Sequence, residues 1–478
     1  MSLIINRSAN MGAFFEERLT STQSYYPSTL HHIYVKLDFN KKYENADTTK
    51  DATAFLSSVT KASILTHRVA VLNGGQLIEI QGSLLHIVLP VDSDVIEFTG
   101  QLNCSLNTLF KDRREKVQGW RMIADSGNTL LVNGQSIHGD ESTVSLGNAA
   151  NRPAKRLYKQ FSIPENERTL KRGCLEIRTR EENWKVIELN KIPLTINFSI
   201  KDDQINEIKN KDYSGNFRNI LKHETIINAS ATPIGSPTSD APHISWGWIL
   251  RADLDGFTDR VSKCYDNNEE LTKLATEFVT LMNAAASFAN EHHEIITQLP
   301  WAGDNFNAVA NYSSKSLYEA AVEENLIGLS VDFEEDLHSK ALDTGCSGWS
   351  QCVAGSYPHG NSNGNVYVSS IPVDGRNFLV GVGRGIGKSL QAMSDISPDV
   401  QELVLYNDDY SRIRDEYKAH FTPSEKNDTC EISALYKSAN IKDLEDTRDD
   451  LDTQPQAIKV TPVTNSPVSI QTRPYFRG

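Results

Sequence analysis

No stretch of this sequence approaches the ~20 consecutive apolar residues that a membrane helix needs, and its N-terminus lacks a secretory leader pattern. No membrane association and a cytoplasmic location are therefore expected. Cysteine is sparse. Cys104, Cys174, Cys264, Cys346, Cys352 and Cys430 are mostly far apart and form no C-x-x-C pair, so reduced thiols are expected, with neither a disulfide framework nor a zinc site. Positive charge is the minority, with 48 Lys and Arg against 62 Asp and Glu and a formal net charge of -14. That excess argues against a bulk attraction to nucleic acid. It leaves open a local site for a small, metal-complexed anion.

What is present is enough chain for two or three domains: 478 residues, 39% hydrophobic and 23% charged. A weak internal repeat organises them. HHIYVKLDFN, near residue 31, reads as a strand rich in β-branched and aromatic residues. Asp51 to Leu72 follows with a helical pattern, then LIEIQGSLLHIVLP reads as a hairpin with Gly82 at its tip. The same order returns from residue 244. ISWGWILRADLDGFT is a strand ending in a Gly-containing turn, Asn268 to Thr297 carries a helical pattern, and LPWAGDNFNAVA is a second hairpin around Gly303. Each copy continues into a further strand and helix, which points to an α+β sandwich. Ala229 to Pro242, rich in Ser, Pro and Ala, reads as a linker between the copies. After about Phe421 the chain turns polar and acidic, as in DLEDTRDDLDTQPQ, and is expected to be flexible or loosely attached.

Two carboxylates carry the first chemical signal. Asp253 ends a predicted strand in RADLDGFT, and Asp304 sits at a hairpin tip in AGDNF. Adjacent strand and hairpin ends bring such groups to one sheet edge. With a backbone carbonyl such as that of Leu254, they form a hard oxygen site for two Mg²⁺ or Mn²⁺ ions. Taken singly, Asp-Gly and Gly-Asp are also ordinary turn dipeptides.

These motifs resemble those of the class III nucleotidyl cyclases, the adenylyl and guanylyl cyclase homology family. RADLDGFT looks like that family's first metal motif and AGDNF like its second. Gly147, Asn151 and Lys155 in LGNAANRPAKRL fit its later Gly-Asn-Arg motif, with Lys in place of Arg; Arg121 and Gly127 resemble the strand before it. The second half has both metal aspartates but Gly387 and Gln391 at the later positions. The first half has the Asn and the Lys but Ser83 at the second metal position, with Asp38 as the candidate match for the first. The resemblance implies two tandem ferredoxin-like domains forming an intramolecular pseudo-heterodimer with one complete site. It divides the chain into an extension (1–29), a degenerate domain (30–200), a linker (201–240), a metal-binding domain (241–420) and the acidic tail (421–478). Whether the molecule is a monomer with this internal pseudo-dimer or a further homo-oligomer stays open.

The activity implied is conversion of a nucleoside triphosphate to a 3′,5′-cyclic nucleotide. Asn151 would orient the ribose and Lys155 would meet charge on the α-phosphate, with neighbouring Arg156 as an alternative; Gly256, Phe257 and Thr258 count among the substrate-binding residues. At the family's base-contacting positions stand Glu79 and Val144, so the adenine pair is absent and a pyrimidine or guanine is favoured. This layout is also similar to the bacterial Pycsar-type pyrimidine cyclases, which make cCMP or cUMP in phage defence. Two rivals remain. VGVGRGIGKSL approximates a P-loop but has Val382 where the first Gly belongs, while Arg384 and Lys388 are candidates for holding phosphates. A cyclase-fold nucleotide sensor or scaffold without turnover is the other, favoured by Lys155. Adjacent His292 and His293 point in different directions on a helix and read as a solvated face.

Overall fold

The structure, a computed structural model, describes residues 25–46, 48–112, 116–135, 141–161, 163–179, 181–192, 200–213, 218–219, 246–264, 267–292, 295–312, 318–320, 325–356, 366–393, 402–423, 435–438 and 441–453. The linker Ala229–Pro242 and His293 lie outside the described residues.

The first half builds one sheet from β1 (Tyr25–Phe39), β2 (Gln76–Gln81), β3 (Leu84–Pro90), β4 (Val117–Gln135), β5 (Glu141–Leu146), β6 (Cys174–Arg178) and β7 (Trp184–Glu188). Their order is β2-β3-β1-β4-β6-β7, with β5 paired to the distal part of β4. The rest of the chain contributes β8 (Arg218–Asn219), β9 (Trp246–Leu254), β10 (Ile296–Gln298), β11 (Asn305–Tyr312), β12 (Trp349–Ser356), β13 (Tyr367–Val373), β14 (Arg376–Val382), β15 (Leu403–Tyr406), β16 (Phe421–Pro423) and β17 (Leu435–Ser438). A second sheet runs β10-β11-β9-β12-β15-β17-β16, and a small third runs β14-β13-β8. The internal repeat is thus one of topology. In each half a hairpin flanks the first strand, and a parallel crossover follows, β4 to β6 and β12 to β15.

The long helices cover one face of each sheet, and the shorter helices Asn148–Phe161 and Arg384–Met393 pack on the other. Thr48 caps the helix Thr49–Leu72 by accepting from the Asp51 amide, and Ala52, Phe55, Leu56, Val59 and Val69 recur at helical spacing and are buried. Asn267 likewise caps Asn268–Glu291. That helix stops six residues short of the expected Thr297, because Ile296–Gln298 pairs with β11 as β10.

The halves exchange arms. Leu130 and Val132 of β4 and Val144 and Leu146 of β5 are buried with Trp248 and Phe278 in the second half's core. Conversely, Tyr367, Ile371 and Val373 of β13 and Phe378, Val380 and Val382 of β14 complete the first half's core. The β13–β14 turn, Asp374-Gly375, has positive φ at both residues (44° and 89°), the geometry of a two-residue type I′ hairpin. Asp374 accepts two 2.8 Å bonds from Arg68 of the first half, and Arg376 donates to the Leu77 carbonyl at 2.7 Å.

Part of the segment expected to be loose is folded. β17 pairs with β15, and the helix Ile441–Thr453 packs on Ile327–Asp343 with Leu444 fully buried. Arg448 reaches Asp332 at 2.5 Å and Glu335 at 2.9 Å. Its acidic composition hides an apolar seam at Leu444 and Leu451, seven residues apart on one helix face.

Candidate active site

β9 runs antiparallel to β11 with Asp253 opposite Asn305, the residue after Asp304. Register alone therefore sets the two aspartates side by side. The Asp253 carboxylate accepts from Asn305 Nδ2 at 2.5 Å. Burial, then the neighbouring charges of Asp304 and Asp255, push the Asp253 carboxyl well above the ordinary carboxylate range; burial lifts Asp304 to about 6. The Lys155 ammonium, from the other half, opposes both shifts. The structure therefore brings residues from the two halves to one place.

Lys155 arrives on the helix Asn148–Phe161, exposed and one turn beyond half-buried Asn151, so both lie on one face. The helix is entered through Gly147 at φ 141°, where a Cβ would stand 2.8 Å from the Asn128 carbonyl oxygen. Only glycine makes that approach. Across the halves, Ser262 of the helix Phe257–Cys264 donates to Asn148 Oδ1 at 3.1 Å. Gly256 turns β9 into that helix at φ 68°, Leu254 is buried and Thr258 is half-buried. The Phe257 ring packs on Phe278 in the core, which leaves its backbone as the part near the site.

Arg156 is committed elsewhere. It donates to Glu176 at 2.5 Å and stacks over Trp184, so the alternative of Arg156 serving in place of Lys155 finds no support. Val144 is buried in the second half's core and offers no polar atom. Glu79 is nearly enclosed; it accepts from Gln81 and lies 3.2 Å from His86 Nδ1, and burial raises its carboxyl to about 7.

The first half's own strand end corrects one alignment. Lys36 faces Leu84, the residue after Gly82-Ser83, as Asp253 faces Asn305, the residue after Gly303-Asp304. Lys36, rather than Asp38, therefore matches the first metal position. Asp38 matches Asp255: each follows a leucine, Leu37 or Leu254, that pairs with a tryptophan, Trp120 or Trp349. That Leu-Asp pair and its facing Trp were the signal that would have fixed the register. The Lys36 ammonium donates to Ser83 and to Glu44, so a tethered cation stands among the groups that match Asp253 and Asp304. Asp38 is held by Arg121 at 2.5 Å and Arg172 at 3.0 Å.

The P-loop alternative fails on geometry. The chain is already helical from Arg384 to Met393, across what would be the phosphate loop. Lys388 is buried over Tyr406, and Arg251 donates to Ser389 at 3.3 Å. His292 caps its helix with its ring against Phe288. Among the described residues no group of three or more His, Cys, Asp or Glu gathers to hold a metal, and no helix is long and apolar enough to cross a membrane.

No protein-family model and no curated protein matches the chain. Among solved structures, a class III adenylyl cyclase-like ATP-binding protein from Pseudomonas aeruginosa is similar over 93% of this chain and 98% of its own, with a TM-score of 0.63 at 14% identity. The adenylyl cyclase CyaB from P. aeruginosa aligns over 42% of this chain and 96% of its own (TM-score 0.31, 13% identity). A guanylate cyclase domain from Catenaria anguillulae in complex with GTP aligns over 41% and 97% (TM-score 0.28, 12% identity). The chain therefore has the α+β fold of a class III adenylyl cyclase-like protein over nearly its full length.

Proposed function

We propose that this chain is a nucleotide cyclase, turning a nucleoside triphosphate into a 3′,5′-cyclic nucleotide and pyrophosphate at one composite site. The observation that carries the reading is the meeting of Asp253 and Asp304 from one half with Lys155 from the other. Two carboxylates that burial drives toward protonation, with repulsion added at Asp253, are a donor set that a divalent cation relieves. Asp253, Asp304 and the Leu254 carbonyl thus fit Mg²⁺ or Mn²⁺ as ligands. The chemistry such ions supply is polarisation of the triphosphate and a lowered pKa for the attacking hydroxyl.

The chain's own groups do the rest. Asn151 hydrogen-bonds the ribose and aligns its 3′-oxygen with the α-phosphorus. Lys155 meets the charge that develops there as the new O–P bond forms and pyrophosphate leaves; loss of one such contact typically costs ~10²–10³ in rate. Lysine offers a point charge where arginine offers a planar fork. Glu79, in place of an adenine-type residue, supports a pyrimidine or guanine product. The degenerate first half, the tandem layout and the base pocket together resemble the Pycsar-type pyrimidine cyclases, and on that resemblance the proposal extends to a cCMP or cUMP signal in phage defence.

A second reading is a nucleotide-binding protein without turnover. It is favoured by Lys155 and by the description of the Pseudomonas aeruginosa protein as ATP-binding and cyclase-like. Incubation with Mn²⁺ and each of ATP, GTP, CTP and UTP, with products identified by chromatography and mass spectrometry, separates the two. The expected result is one cyclic product from the wild type and none from Asp304→Asn. Nucleotide binding without product would establish the second reading instead.

A further inference from the structure

Behind Glu79 lies a buried chain of hydrogen-bonding groups that the reaction itself does not need. A bulge in β2 between Leu77 and Glu79 inserts Ile78, so that Glu79 pairs with His86 of β3. Bulges of this kind re-aim a side chain. Here Leu77 and Ile80 pack toward the helices, while Glu79 turns to the opposite face. On that face Glu79 Oε2 lies 3.2 Å from His86 Nδ1, and His86 Nε2 lies 3.0 Å from His32 Nδ1. The His86 ring stacks on Tyr34 with centroids 4.0 Å apart, and Tyr34 packs against Leu157 of the helix that carries Asn151 and Lys155. His32 Nε2 is buried with no partner.

Burial lowers His86 to about 3 and His32 well below its usual value, so both rings stay neutral and each carries one N–H. Two proton arrangements satisfy the chain. With Glu79 ionised, His86 Nδ1–H donates to it and His86 Nε2 accepts from His32 Nδ1–H. With Glu79 neutral, its O–H donates to His86 Nδ1 and both rings switch tautomer, leaving the N–H on His32 Nε2. In the first arrangement Glu79 has no proton to offer; in the second its proton is already taken by His86. Towards a ligand, Glu79 is an acceptor in both.

We propose that His86, backed by His32, is a specificity-determining positioning residue that holds Glu79 as a hydrogen-bond acceptor toward the base at any working pH. The inference rests on the reading of Glu79 as a base contact. An acceptor set against the ring nitrogen selects uracil and guanine, whose ring N–H donates to it, over cytosine and adenine, which present an acceptor there and reach Glu79 only through an exocyclic amine. The other charged groups around this face are already engaged. Asp125, opposite His32, lies 3.0 Å from Arg152 and 3.7 Å from Arg178; Lys36 is held by Glu44 and Ser83; Arg376 binds the Leu77 carbonyl.

The test is equilibrium binding of UTP, CTP, GTP and ATP to the full chain at pH 6, 7 and 8. In the wild type, UTP should bind more tightly than CTP, and GTP more tightly than ATP, with ratios constant across that range. His86→Phe keeps a ring over Tyr34 but removes both nitrogens. Glu79 then carries a free proton at low pH, and the preference should fall about tenfold between pH 8 and pH 6. His86→Gln, which can donate or accept, should restore the constant ratio and so control for misfolding. A wild-type preference for CTP or ATP, or an unchanged pH-independent preference in folded His86→Phe, would overturn this inference alone. No triphosphate binding by the wild type would overturn it together with the cyclase reading.

Discussion

Glu334 lies in the helix Ile327–Asp343 with its side chain enclosed beneath β12. It accepts from Gln351 Nε2 at 3.3 Å and lies 2.9 Å from His338 Nδ1. Burial pushes its carboxyl from the ordinary 4.5 up to about 8. Below pH 4.5 the folded and unfolded chains both hold the proton, and burying the carboxyl carries no ionisation cost. As pH rises toward 8 the unfolded chain releases its proton first, so stability falls, with a slope approaching ~1.4 kcal/mol per pH unit. Glu334→Gln should flatten that fall in urea titrations between pH 5 and 8. At this scale short motifs mark Asp253, Asp304, Asn151 and Lys155 as candidates, and strand register sets the two aspartates side by side. Lys36 is harder to read, since a shift of two residues along a strand keeps the same face and leaves the apolar alternation unchanged, so that only the Leu-Asp pair marks the register. The ion pair that occupies Arg156 was equally hidden, because Glu176 is twenty residues away on β6.

The helix Ile441–Thr453 is the element whose reading changed most. Composition marked it as loose acidic chain, yet one buried leucine and one arginine anchor it to Ile327–Asp343. Leu444→Ala should cost about 2–4 kcal/mol, measured by chemical denaturation, through lost burial and the cavity left behind. Elsewhere the hairpins around Gly82 and Gly303 were readable from turn chemistry and alternation. The bulge at Ile78 was not, because an inserted residue in an apolar run leaves no mark on composition.

In the whole molecule, the repeat and its topological order were visible in the sequence, but the exchanged arms were not. Period-two apolar alternation in β13 and β14 says that one face is buried without saying against which half. The consequence is mutual dependence. Residues 1–220 made alone lack Tyr367, Ile371, Phe378 and Val380 from their core, and should be insoluble or lack fixed packing by circular dichroism. Co-expression with residues 221–478 should recover a soluble complex, and recovery of a cooperatively melting 1–220 fragment by itself would contradict the exchange. On the ribosome the same arrangement sets an order of events. The N-terminal half waits, with an unfinished apolar face, until residue 382 has emerged, so the first half to be made is also the one obliged to wait for the second.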